Sequence, residues 1–153
     1  MGKIFYTSDL HFGHQRILQY ENRPFEDVFD MERKLIDRWN SKVKASDDVY
    51  VLGDFAFPNS RYSIDHINDI VKKLNGKKHL ILGNHDTWIN KLDVKPKLWE
   101  EIVPYKEIID KSDTIIMSGA DLVNNRNIIL CHYPIEHWNG QEHESIHLHR
   151  TFT

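Results

Sequence analysis

Four short clusters of oxygen- and nitrogen-bearing residues punctuate the chain: Asp9-x-His11, Gly53-Asp54, Gly83-Asn84-His85-Asp86 and Cys131-His132. Carboxylate, carboxamide and imidazole ligands without thiolates suit hard or borderline divalent ions such as Mn, Fe, Zn or Ni, and do not suit a structural cysteine-zinc site. Two such ions about 3.5–4 Å apart, bridged by a carboxylate and a hydroxide, are the arrangement that hydrolyses phosphate esters by in-line attack. His14 and Arg23, in the loop after the first cluster, are candidates to hold a substrate phosphate, since a cation there could pair with it. Near the end of the chain, His147-x-His149 has the two-residue spacing that sets both side chains on one face of an extended segment, so both are candidate ligands as well. Asp86 has two readings, as part of its cluster or as the cap of a helix that follows.

The elements that must position these groups can be read from apolar periodicity. Val49 to Leu52 run without polar alternation, which predicts a strand buried on both faces, ending at Gly53 with Asp54 directly after it. Asp54 then lies at the carboxyl end of a central strand, where open α/β sheets place ligands. Lys3 to Ser8 predicts a strand leading into Asp9, and His79 to Leu82 one leading into Gly83. Asn127 to Cys131 predicts a fourth leading into His132. Between them, a short helix is expected through Ile17, Leu18 and Tyr20, and a second over Met31 to Lys44 with Asp30 as its N-cap and Leu35, Ile36, Trp39 and Val43 on one face. A third follows through Ile64, Ile67, Ile70, Val71 and Leu74, stopped by Asn75-Gly76. Further strands are expected at Glu101–Val103, Tyr105–Ile109 and Thr114–Met117, so the second half is the more β-rich. The four tryptophans and Cys131 read as packing residues.

Composition bounds the partners. A chain of 153 residues with 40% hydrophobic and 28% charged residues is expected to form one soluble domain. A net charge of −3 provides no basic field of the kind that collects nucleic acid, so a small substrate is favoured over a polynucleotide. One cysteine cannot form an internal disulfide, and no stretch has the apolar length of a membrane span, so the expected setting is the cytoplasm with no membrane partner.

Taken in order, Asp9-x-His11, Gly53-Asp54, Gly83-Asn84-His85-Asp86 and His132 resemble the successive motifs of the calcineurin-like metallophosphoesterases, over residues 3 to about 134. The resemblance implies a four-layer α/β/β/α sandwich forming one such domain across residues 1–153. It implies two divalent metal ions, with Asp9 and His11 on the first, Asp54 bridging, and Asn84 and His132 on the second. His85 would protonate the leaving oxygen, a role suited to a side chain that changes charge near neutral pH. The implied activity is hydrolysis of small phosphomonoesters or phosphodiesters by a metal-bridging hydroxide. A nuclease of the same chemistry and a metal-binding protein without turnover are the competing readings. The family's closing Gly-His-x-His is not found after His132, and the chain ends Ser145-Ile-His-Leu-His-Arg-Thr-Phe-Thr153. His147 and His149 are therefore expected to replace it, in a domain lacking the family's usual C-terminal end.

Overall fold

In the computed structural model, which describes residues 2–91, 95–110, 115–117, 120–122, 126–143 and 145–150, the fold is organised around Asp48–Leu52 (β2). This strand is flanked by Ile4–Thr7 (β1) and Lys77–Ile81 (β3), and Glu101–Val103 (β4) completes a parallel sheet of order β1-β2-β3-β4. The unbroken apolar run of β2 has a physical cause in the layers on either side. Val49 and Val51 point into one core with Leu80, and Tyr50 and Leu52 point into another with Ile81.

The first core is covered by helices. After a single turn at Ile17–Tyr20 (α1), Val28–Lys42 (α2) and Ile64–Lys73 (α3) bring Met31, Trp39, Ile67, Ile70 and Val71 onto the sheet. The amphipathic spacing places α2 and α3 correctly, but the N-cap of α2 differs from expectation. Asp27, with extended backbone, accepts hydrogen bonds from the amides of Phe29 at 2.9 Å and Asp30 at 2.8 Å. Asp30 lies one turn in, where it pairs with Arg33 and Lys34. Two aspartates three residues apart both fit a cap by type, and only the backbone geometry separates them. Ser63 caps α3, and Gly76 takes φ +82° just past its end, as the Asn75-Gly76 stop predicts.

The second core is sealed by a second sheet. Tyr105–Asp110 (β5) is followed by an antiparallel ribbon of Ile115–Met117 (β6) and Ala120–Leu122 (β7), then by Arg126–Cys131 (β8) and Ile146–Leu148 (β9). Thr114, the first residue of one expected strand, lies outside the described residues. Within the sheet the order is β5-β8-β9, antiparallel and then parallel, and Ile128, Leu130 and Leu148 pack against Tyr50, Leu52 and Ile81. A helical layer, a parallel sheet and a second sheet are thus stacked as in the metallophosphoesterase sandwich. None of the described α-helices covers the outer side of the second sheet. Cys131, expected to be buried, is half-exposed at the end of β8. Among the described residues, no helix is long and apolar enough to cross a membrane.

Candidate metal centre

The loops leaving β1, β2, β3 and β8 meet at the carboxyl edge of the two sheets. Asp9, His11 and Asp54 are held in left-handed backbone conformations, with φ of 56°, 52° and 54°. For residues other than glycine this is uncommon, and it persists where surrounding contacts over-determine it. Those contacts are a continuation of the β1–β2 pairing beyond the strands. The amides of Asp9, His11 and Phe12 donate to the carbonyls of Gly53, Asp54 and Phe55 at 3.0–3.1 Å. Arg23 adds to them by donating to the carbonyls of Asp9 at 2.8 Å and Leu10 at 3.1 Å while pairing with Glu21. Arg23 is therefore committed to bracing the Asp9 turn, and the structure does not offer its guanidinium to a substrate phosphate.

Asp54 is the centre of the arrangement. It is fully buried, and its Oδ2 lies 3.8 Å from Nε2 of His11 and 3.8 Å from Nε2 of His132. The other carboxylate oxygen accepts the amide of His85 at 3.0 Å. Asp86 neither joins the cluster nor caps a following helix. Its carboxylate accepts the amides of Asp54, Phe55 and Gly83 at 2.8–3.0 Å, clamping the β2 and β3 loops together. Burial pushes the Asp86 carboxyl up, against the pull of those three donors.

Two glycines make the close approach possible. A Cβ on Gly53, whose φ is +82°, would lie 2.3 Å from Nδ1 of His132, and one on Gly83 would lie 2.5 Å from Oδ1 of Asp54. Both motifs carry Gly because the imidazole and the carboxylate occupy that space.

The donor set fits a cation. One ligand atom each from Asp9, His11 and Asp54 lies within 4.8 Å of the others, and neither ring nitrogen of buried His11 has a hydrogen-bond partner. His132, also fully buried, gives its Nδ1 side to the carbonyl of Leu52 at 2.8 Å, which leaves Nε2 as a lone-pair donor. That nitrogen lies at hydrogen-bond distance, 3.0 Å, from Asn84 Oδ1, the other proposed ligand atom of the pair. Imidazole oriented by a backbone carbonyl is the usual preparation of a metal ligand.

A positive charge already stands between the carboxylates. Arg150 places Nε 2.8 Å from Asp9 Oδ1 and a terminal nitrogen 3.1 Å from Asp54 Oδ2, so its guanidinium is a stand-in for a cation. Burial alone would raise the carboxyl pKa of Asp9, but the neighbouring His11 and Ser8 side chains and the charge of Arg150 hold it below the usual range. Arg150 arrives there through β9, whose parallel pairing with β8 continues as the hydrogen bond from the Arg150 amide to the His132 carbonyl at 3.1 Å.

The same register locates the terminal histidines. His147 is level with Ile129, three residues before His132, and its ring lies between those of Trp138 and His149, 5.2 and 4.8 Å away. The two histidines do share a face, as their spacing predicts, but the residue that reaches the carboxylates is Arg150. His149 is exposed, with Nδ1 against the Arg150 carbonyl, whereas His147 Nε2 is buried without a partner. Burial and the neighbouring His149 push the His147 imidazole down.

His85 and His14 border the cluster. The His85 ring is 5.6 Å from that of His11, edge on, and the His14 ring is 5.5 Å from His11 and 6.3 Å from His85. Burial, together with the neighbouring His11 and His85, pushes the His14 imidazole down.

Comparison with known proteins bears on this geometry. Uncharacterized protein MJ1445 of Methanocaldococcus jannaschii is 40% identical over 94 residues, 61% of this chain and 52% of that protein. Gene 66 protein of Mycobacterium phage D29 is 29% identical over 136 residues, 88% of this chain and 65% of that protein. The crystal structure of AQ665 from Aquifex aeolicus, a protein of unknown function, superposes with a TM-score of 0.62 at 28% identity, covering 86% of this chain and 60% of that one. The chain thus spans about half to two thirds of the length of these relatives. The family description Calcineurin-like phosphoesterase matches residues 2–151, nearly the whole chain and every loop just described. By that match the chain belongs to the calcineurin-like phosphoesterase family.

Proposed function

We propose that this chain is a dinuclear-metal phosphoesterase acting on small phosphate esters. The observation that carries the reading is the position of Asp54, with one carboxylate oxygen equidistant from imidazoles supplied by two different motifs. Asp9 and His11 would hold one cation, Asn84 and His132 the other, and Asp54 both. When bound, such a pair supplies Lewis-acid stabilisation of developing phosphoryl charge and an activated water.

The chain's own residues supply the rest. Buried Asp54 and His132 keep the ligand atoms fixed, because their remaining polar atoms are tied to the His85 amide and the Leu52 carbonyl. His85, tethered through its amide to Asp54 and only partly buried, would give a proton to the leaving oxygen. His14 stands beside it as a candidate contact for the substrate. Arg23 is withdrawn from that role and is a positioning residue for Asp9. His147 and His149 as ligands would require the β9 end to rearrange, and the reading does not depend on them. A net charge of −3 favours a small ester over a polynucleotide.

The test is turnover of bis-p-nitrophenyl phosphate beside p-nitrophenyl phosphate by metal-reconstituted protein, with metal content measured on the same samples. Asp54→Asn is expected to lose metal and activity together. His85→Ala is expected to retain metal and lose roughly 10²–10⁴-fold in turnover, the usual contribution of a general acid. Full metal content in Asp54→Asn would remove it as the bridge. An emptied site in His85→Ala would make His85 a ligand.

A further inference from the structure

Beside the candidate metal centre opens a cleft of about 430 Å³ that none of the four motifs accounts for. Its walls include His14, Arg16, Tyr20, Phe57, Asn59 and Arg61. They are preformed, because the loops after β1 and β2 are tied to one another. Phe57 donates its amide to the Phe12 carbonyl at 2.7 Å, and the Asn59 carboxamide donates to the Gly13 carbonyl at 2.8 Å while accepting the amides of Arg61 and Tyr62. Gly13, at φ +83°, packs close against Tyr62, where a Cβ would come within 2.8 Å of the ring.

The cleft opens on the side of the proton donor. The Phe57 ring lies 4.5 Å from that of His14, tilted against it, and 5.8 Å from that of His85. With His14 and Phe57 of its wall this close to His85, an occupant of the cleft would lie on the side of the oxygen that His85 is proposed to serve, as the leaving group. Its walls specify a chemistry. Tyr20 is 66% exposed and Phe57 37%, offering ring faces to a planar partner. Arg16 and Arg61 are exposed, and among the described residues neither guanidinium has an ion-pair partner. A planar ring with an attached anion satisfies both, since bases stack on aromatic side chains and arginine pairs bidentately with phosphate.

Building on the phosphoesterase reading, we propose that the cleft binds a nucleotide as leaving group: an aromatic base and a ribose that carries a second phosphate besides the one removed. The bond broken joins the reacting phosphorus to a ribose oxygen. Water supplies the oxygen that replaces it on phosphorus, and the ribose oxygen leaves with a proton from His85, giving phosphate and a nucleotide. Two arginines in a chain of net negative charge suit one short nucleotide better than a long strand.

The experiment compares hydrolysis of adenosine 3′,5′-bisphosphate with that of glycerol 2-phosphate, which has neither ring nor second anion, and measures AMP binding to the metal-free protein by calorimetry. The expected kcat/KM ratio favours the bisphosphate by 100-fold or more. In Arg16→Ala/Arg61→Ala and in Phe57→Ala, with thermal midpoints checked, that ratio and AMP affinity both fall at least tenfold. A ratio near one, or a ratio and AMP affinity that survive both variants, would overturn the proposal. Faster turnover of a single-stranded oligonucleotide than of the bisphosphate would overturn it in favour of a nucleic-acid strand. AMP binding that the variants abolish, with no ester hydrolysed by the metal-loaded protein, would uphold the cleft and refute the hydrolase reading instead.

Discussion

Arg150 sets one nitrogen on Asp9 and another on buried Asp54, the two carboxylates proposed to hold a divalent ion. Two carboxylates this close are compensated by its charge, so a cation that binds the same oxygens has to displace the guanidinium first. Separating that pair weakens the measured affinity of the parent chain for metal. Arg150→Ala is expected to bind Mn more tightly, by about tenfold, which corresponds to ~1.4 kcal/mol, in a calorimetric titration. Weaker binding in the variant would make Arg150 a supporting member of the site and not a competitor. Much of the cluster was legible because its residues follow apolar strands: Asp9, His11, Asp54, Asn84 and His132 all come together at one edge of the sheets. Arg150 was not legible, because the parallel register of β9 on β8 delivers it. Nor were the clamp by Asp86 and the brace by Arg23, since both act on backbone groups of distant loops, and no local pattern announces such contacts.

At the scale of elements, strands and helices followed apolar periodicity closely, and the misses have causes. β9 escaped notice because Ile146-His-Leu148 offers only two apolar residues, and its strand conformation comes from pairing with β8. The N-cap of α2 moved from Asp30 to Asp27, and this leaves Asp30 with a separate role that titration can expose. Its carboxyl is held down to about 2, chiefly by the hydrogen bond from Lys34 at 2.7 Å, then by the Glu26 amide and Arg33. The ordinary value in an unfolded chain is near 3.9. A folded pKa lowered in this way contributes stability that is complete above about pH 4 and is lost as pH falls toward 2. Asp30→Asn is therefore expected to melt at a lower temperature than the parent at pH 6, and to lose less on acidification from pH 4 to pH 2. Melting curves of parent and variant that shift in parallel over that interval would assign the first turn of α2 no acid-sensitive contribution.

At the scale of the whole molecule, two sheets and the loops at one edge do a single task, which is to bring four distant segments within reach of one buried carboxylate. The three left-handed residues at Asp9, His11 and Asp54 show that the backbone accepts unfavourable conformations at this edge, and the bracing by Arg23 and Asp86 holds them there. The family match establishes the lineage, and the proposal adds that Asp54 bridges two cations. The most direct measurement is anomalous diffraction from crystals soaked in Mn. The account predicts two peaks flanking the Asp54 carboxylate about 3.5–4 Å apart, one beside Asp9 and His11 and the other beside Asn84 and His132, with the Arg150 side chain displaced. Peaks remote from Asp54, or none while Arg150 remains between the two carboxylates, would contradict it.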